Sequence, residues 1–200
     1  LPVHSFICAS NKNNVLTDFF VSGNYNRNRP FYATASPSMD ILISSNLERL
    51  LYLTCGQKET ETLMAELKEK GSYTVTEKTK AKIASEFTGL SCDEEQPACE
   101  IKHIYEDYNY LCDTHTAVGL YCAENYIKEN NSVRKLVCAS TASPYKFSPA
   151  VLKALTGEVP ENELDAMELL EKKASRRMEL LLGKIGKAGP AVGSLLGCVP

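Results

Sequence analysis

Apolar residues recur along this chain with two periods, one suited to strands and one to helices. The stretch "VHSFICA", residues 3–9, is extended and apolar and predicts a strand. It runs straight into Asn11, Asn13 and Asn14. There the Asn13 side chain can accept a first-turn amide and cap a helix over about 14–22, which Gly23 then stops. "NYNRNRP" reads as a polar loop, with Arg27 and Arg29 in solvent. "SSNLERLLYLTCG" reads as a helix with Leu47, Leu50, Leu51 and Leu53 on or near one face. A second helix, "ETLMAELKEKG", closes at Gly71, and "SYTVT" is a short alternating strand. "EKTKAKIASEFTGL" is helical, as is "PACEIKHIYEDYNYL", whose inner face is expected at Ile101, Ile104, Tyr105 and Tyr108. "DTHTAVGLYCAENYIKEN" starts with cap residues and continues as a helix. "SVRKLVCAS" reads as a strand, "TASPYKF" as a loop, "SPAVLKALTG" as a helix and "ENELDAMELLEKKASRRMELLLG" as a charged helix. The Gly-rich end, "KIGKAGPAVGSLLGCVP", reads as irregular. Strands separated by helical stretches predict an α/β fold with a mostly parallel sheet. The expected division is 1–157 as the main unit and 158–200 as a helical tail.

Composition changes this picture little. The 200 residues are 44% hydrophobic and 24% charged, enough for one domain with its own core. A net charge of −3 argues against a nucleic-acid partner, which calls for a basic face. No apolar run approaches the roughly 20 residues that span a bilayer. Eight cysteines include no CxxC pair, so a zinc centre is not expected. Cys92, Cys99 and His103 are the only near cluster. Most of the cysteines sit in apolar runs and read as reduced core thiols, which favours a cytoplasmic setting. The opening, "LPVHSFICAS", lacks a starting Met and reads like a chain entered midway.

In open α/β sheets, ligands bind beyond the carboxyl ends of strands. "ICASNKNN" and "VCASTASPYKF" both run from an apolar segment through Cys-Ala-Ser into a polar loop, and "DTHTAVG" offers the free amides of a helix start. Each also has a structural reading: Asn11 as a turn residue, Asn13 as a cap, Asp113 or Thr114 as the cap of "DTHT", His115 as a hydrogen-bonded structural histidine, Lys146 as a surface lysine. No catalytic triad, Walker loop, GxGxxG or metal motif is present.

Three segments in order, "FICASNKNNVLTDFFVSGNYNRNRPFYATASPSMDILISSNLERLLY", "YLCDTHTAVGLY" and "STASPYKFSPAV", closely resemble the bacterial and fungal type of threonine synthase over residues 4 to about 155. The resemblance implies fold type II of the pyridoxal-phosphate enzymes, a tryptophan synthase beta-like three-layer α/β sandwich, present here in part. It implies conversion of O-phosphohomoserine and water to threonine and phosphate on pyridoxal 5'-phosphate. The family's Schiff-base lysine and phosphate-holding loop lie upstream of the "ICASN" strand. No lysine here stands in that context, so the chain is expected to be a C-terminal portion, inactive without the N-terminal half. Thr116 then matches the position facing the pyridine nitrogen, with His115 shaping that wall. Asn11, Asn13, Ser36, Ser38 and Asp40 are expected to line the site, and Lys146 to attract the substrate phosphate. The tail departs from the family pattern. Two other readings stand beside this one. The first is a non-catalytic module that binds a ligand or partner. The second is a metal protein using Cys92, Cys99 and His103. A piece cut from a larger fold is also expected to self-associate through exposed apolar surface.

Overall fold

The computed structural model describes the backbone of residues 3–187 and the side chains of residues 3–175. The irregular end expected from about 184 falls almost wholly outside the described residues. Strand β1 (Phe6–Ser10) pairs in parallel with β4 (Phe87–Ser91), Phe6 beside Phe87 through Ser10 beside Ser91. A second pair is antiparallel, β2 (Asn24–Asn26) with β3 (Ser72–Thr74), so the described sheet is parallel only in part. Helices α1 (Val15–Ser22), α2 (Ser45–Cys55), α3 (Gln57–Lys70) and α4 (Glu77–Ala84) enclose a first core around Val15, Phe19, Tyr25, Leu51 and Tyr73. Helices α5 (Glu95–Tyr108), α6 (Thr114–Asn130), α7 (Ser148–Thr156) and α8 (Glu163–Lys187) build a second core, in which Ile101, Ala117, Val151 and Leu170 meet. Cys92, Val118 and Cys122 pack where α6 lies against the parallel pair.

Several expectations give way here. "FTGL", expected as the end of a helix, lies in β4. Gly89 breaks the helical pattern and lets α1 come close: a Cβ there would stand 2.8 Å from the Thr17 backbone. "NYN" forms a strand instead of loop because Tyr25 stacks on Tyr73, centroids 5.2 Å apart. "SVRKLVCAS" is unpaired among the described residues, with Val137 95% exposed, since a strand forms only beside another strand's N–H and C=O groups. Leu53 is 78% exposed, because it lies two residues and about 200° around the helix from buried Leu51. Tyr108, also exposed, sits at the end of α5 beyond its packing partners and meets the His103 ring. The seven cysteines in the described range are free thiols. Burial, then the neighbouring Cys122, pushes the Cys8 thiol up to about 11.

Gly89→Ala is expected to cost about 1–3 kcal/mol, because the new methyl meets backbone and α1 must retreat. Urea unfolding reads this directly, and an unchanged midpoint would show that the α1–β4 spacing is not fixed there.

Candidate functional site

Two polar networks lie at the carboxyl end of the parallel pair, and one hydrogen bond joins them. The first starts where β1 ends. Asn11 is 1% exposed. Its Nδ2 lies 2.7 Å from Asp40 Oδ1, 2.8 Å from Thr34 Oγ1 and 3.0 Å from Ser36 Oγ. Its Oδ1 accepts from the Asn13 backbone N–H at 2.9 Å. The Asn13 side chain makes two hydrogen bonds with the Tyr32 backbone, 2.8 Å to its carbonyl and 3.0 Å from its N–H. Asp40 also accepts from the Asn13 amide, the Thr34 hydroxyl and the Thr34 N–H. Asn13 therefore does not cap α1. Asn14 holds that position without a side-chain cap, and its Oδ1 instead accepts from Arg29, which also pairs with Asp18 at 2.8 Å. Arg29 is thus a tie between loop and helix rather than a freely solvated side chain. Asn11, Asn13, Ser36 and Asp40 hold the 31–40 segment against the end of β1.

The second network is the start of α6. Asp113, 1% exposed, caps the helix by accepting from the N–H groups of His115 and Thr116. It also accepts from the Thr116 hydroxyl, and its Oδ1 lies 3.1 Å from His115 Nδ1. Burial pushes the Asp113 carboxyl up, but the Thr116 hydroxyl and the other donors outweigh it, and the carboxyl ends below its ordinary value. The His115 Nε2 accepts from the Ser38 N–H at 3.0 Å, so its Nδ1 carries the proton and donates to Asp113. This contact ties the Pro37–Met39 turn to α6. The His115 ring packs on Phe147 at 4.6 Å between centroids, and the exposed Lys146 ammonium lies 5.5 Å from the centroid of the same Phe147 ring. Thr116 Oγ1 stands 3.0 Å from the Ser140 hydroxyl, which in turn is 3.0 Å from the Tyr110 hydroxyl.

All eight sequence candidates thus fall into one neighbourhood. Sequence reasoning passed over Thr34, Asp113 as more than a cap, and Ser140. Asp113 was the legible one, since its position before "THT" marks it as the residue nearest the hydroxyl and imidazole that follow. Cys92 and Cys99 do not join His103. Among the described residues the one group of metal-ligating side chains brings His103 to Glu100 and Glu124 instead.

Residues 116–182 match the model of the family "Threonine synthase, C-terminal". The threonine synthase of Saccharomyces cerevisiae is 37% identical over 197 residues, an overlap covering 86% of this chain and 38% of that protein. The crystal structure of the yeast enzyme superimposes with a TM-score of 0.73 at 32% identity, over 92% of this chain and 43% of the other. The chain is a C-terminal portion of a threonine-synthase-like fold. A threonine synthase from Brucella melitensis, solved with PLP bound, gives a TM-score of 0.69 at 34% identity, over 84% of this chain and 36% of the other. The chain therefore spans about two fifths of the length of these threonine synthases. Among the described residues no helix is long and apolar enough to cross a membrane.

Proposed function

We propose that this chain supplies one wall of a pyridoxal 5'-phosphate site in a threonine synthase acting on O-phosphohomoserine, with the Schiff-base lysine carried by the N-terminal half. The observation that supports this most is the hydroxyl chain anchored on a buried carboxylate, running from Asp113 through Thr116 and Ser140 to Tyr110. When bound, the cofactor supplies the electron sink for removing a proton beside the substrate nitrogen. The fit follows from the donors present. Thr116 gives its proton to Asp113, which can only accept, so in the Thr116–Ser140 pair the proton comes from Ser140, the exposed hydroxyl that can turn it from Thr116 to a neutral ring nitrogen. Thr116 fixes Ser140 rather than reaching outward itself. His115, held in one tautomer between Asp113 and Ser38, stiffens the same wall. Lys146 is exposed beside it, in position to draw a phosphate dianion by charge. Asn11, Asn13, Ser36 and Asp40 act by positioning the Pro37–Met39 turn that meets His115. Exposed Phe31, Val133 and Val137 give the N-terminal half apolar surface to pack on, and leave the chain prone to self-association without it.

The test has two arms. The chain mixed with pyridoxal phosphate and reduced with borohydride is expected to yield no site-specific lysine adduct by peptide mass spectrometry. One stoichiometric adduct, on Lys146 for instance, would overturn the divided site. In the full-length protein that carries this chain, Ser140→Ala is expected to slow phosphate release from O-phosphohomoserine about tenfold, the worth of one hydrogen bond. An unchanged rate would remove Ser140 from the wall.

A further inference from the structure

Away from this wall, α5 and α6 bring together three side chains whose chemistry the proposed reaction does not use. Glu100 and His103 are three residues apart on α5 and so share a face. Glu124, on α6, faces them, and one ligand atom from each of the three lies within 4.8 Å of the others. Glu100 is the unusual member. Its side chain is 6% exposed, and its Oε1 has no hydrogen-bond donor among the described residues. The His103 Nδ1 stands 3.9 Å from Oε2, too far for a hydrogen bond. A buried carboxylate with an empty oxygen is costly, and here a second carboxylate faces it. Burial first, and then the Glu124 charge, push the Glu100 carboxyl up, while His103 and Lys128 oppose them.

The surroundings are those of a cation site. The His103 Nε2 lies 3.2 Å from Asp107, so that carboxylate can orient the ring and leave the Nδ1 lone pair directed at Glu100. Lys128 pairs with one oxygen of Glu124, Oε2, at 3.2 Å. A Glu-x-x-His pair on one helix with a Glu from its neighbour is half of the carboxylate arrangement that helical bundles use for metals. Ligand atoms about 2.1 Å from a metal in tetrahedral geometry stand about 3.4 Å apart. Half-exposed His103 and Glu124 can close the remaining distance by rotation.

We propose that Glu100, His103 and Glu124 bind one first-row divalent transition cation, with water completing its coordination. Nitrogen and carboxylate ligands without thiolate suit zinc, cobalt or manganese. The test is titration of the full chain with Zn²⁺ against a chromophoric chelator, and with Co²⁺ by visible absorption. One equivalent is expected, with d–d bands and no thiolate charge-transfer band. His103→Ala and Glu124→Gln, both on the solvent side, are each expected to weaken binding by well over tenfold, and Asp107→Asn by about tenfold. No stoichiometric binding, a thiolate band, or affinity unchanged in both His103→Ala and Glu124→Gln would overturn the site.

Discussion

Replacing Asp113 with alanine is expected to lower stability by about 3 kcal/mol. The change removes a helix cap, worth about 1 kcal/mol, and leaves the Thr116 hydroxyl and the His115 ring N–H buried without their acceptor. Asp113→Asn keeps one accepting oxygen for the cap but turns an NH₂ on the donors, so it should fall about halfway. The pH dependence separates this carboxylate from a merely space-filling residue. The folded value lies below the ordinary one of about 3.9, so the stabilisation is complete above that value. It is lost as the pH falls through the lower, folded value. The gap in urea midpoint between the wild type and Asp113→Asn should therefore be widest near neutrality and shrink below about pH 4. A gap that did not change with pH would mean that Asp113 is not held as a carboxylate.

The second large effect is expected at Asn11. Asn11→Ala leaves the Asn13 N–H without its acceptor and removes the donor between Asp40, Thr34 and Ser36, an expected loss of about 2–3 kcal/mol. Asn11→Asp should be at least as damaging near neutral pH, because it sets a carboxylate against Asp40 where 2.7 Å now separates donor from acceptor. Thermal melts of the two variants decide the role of this residue. A side chain held only for a ligand could be trimmed with little change in Tm, whereas one that anchors the 31–40 segment could not. The same reasoning makes Thr34 a member of the network, although no sequence motif marks it.

These two residues show how far the chain could be read unaided. Asp113 was legible because a cap acts on its own next turn: the groups it satisfies, the N–H of His115 and Thr116, follow it directly in sequence. Gly23 and Gly71 were legible for the same local reason, as each ends a helix with a φ only glycine takes at no cost, +77° and +76°. Asn11 and Asn13 were placed correctly at the strand end. Their partners lie some 20 to 30 residues on, and nothing in the spacing says which of cap, ligand group or anchor an asparagine will be. An apolar face located α2 and α5, end signals located α3 and α6, and the motif order pointed to the threonine synthase family, since all are written in contiguous residues. Only the tertiary structure decided that "FTGLS" is a strand, because a short segment with a central glycine becomes one only when β1 offers its edge and α1 needs the space. Only the packing of α5 on α6 set Glu124 opposite Glu100 and His103. The pairing of His115 with the Ser38 N–H likewise depended on two loops, 77 residues apart, being folded into contact. Local hydrogen bonding and hydrophobic period are encoded in a run of neighbouring residues, whereas the partner of a buried polar group is chosen by whichever distant segment the core brings against it.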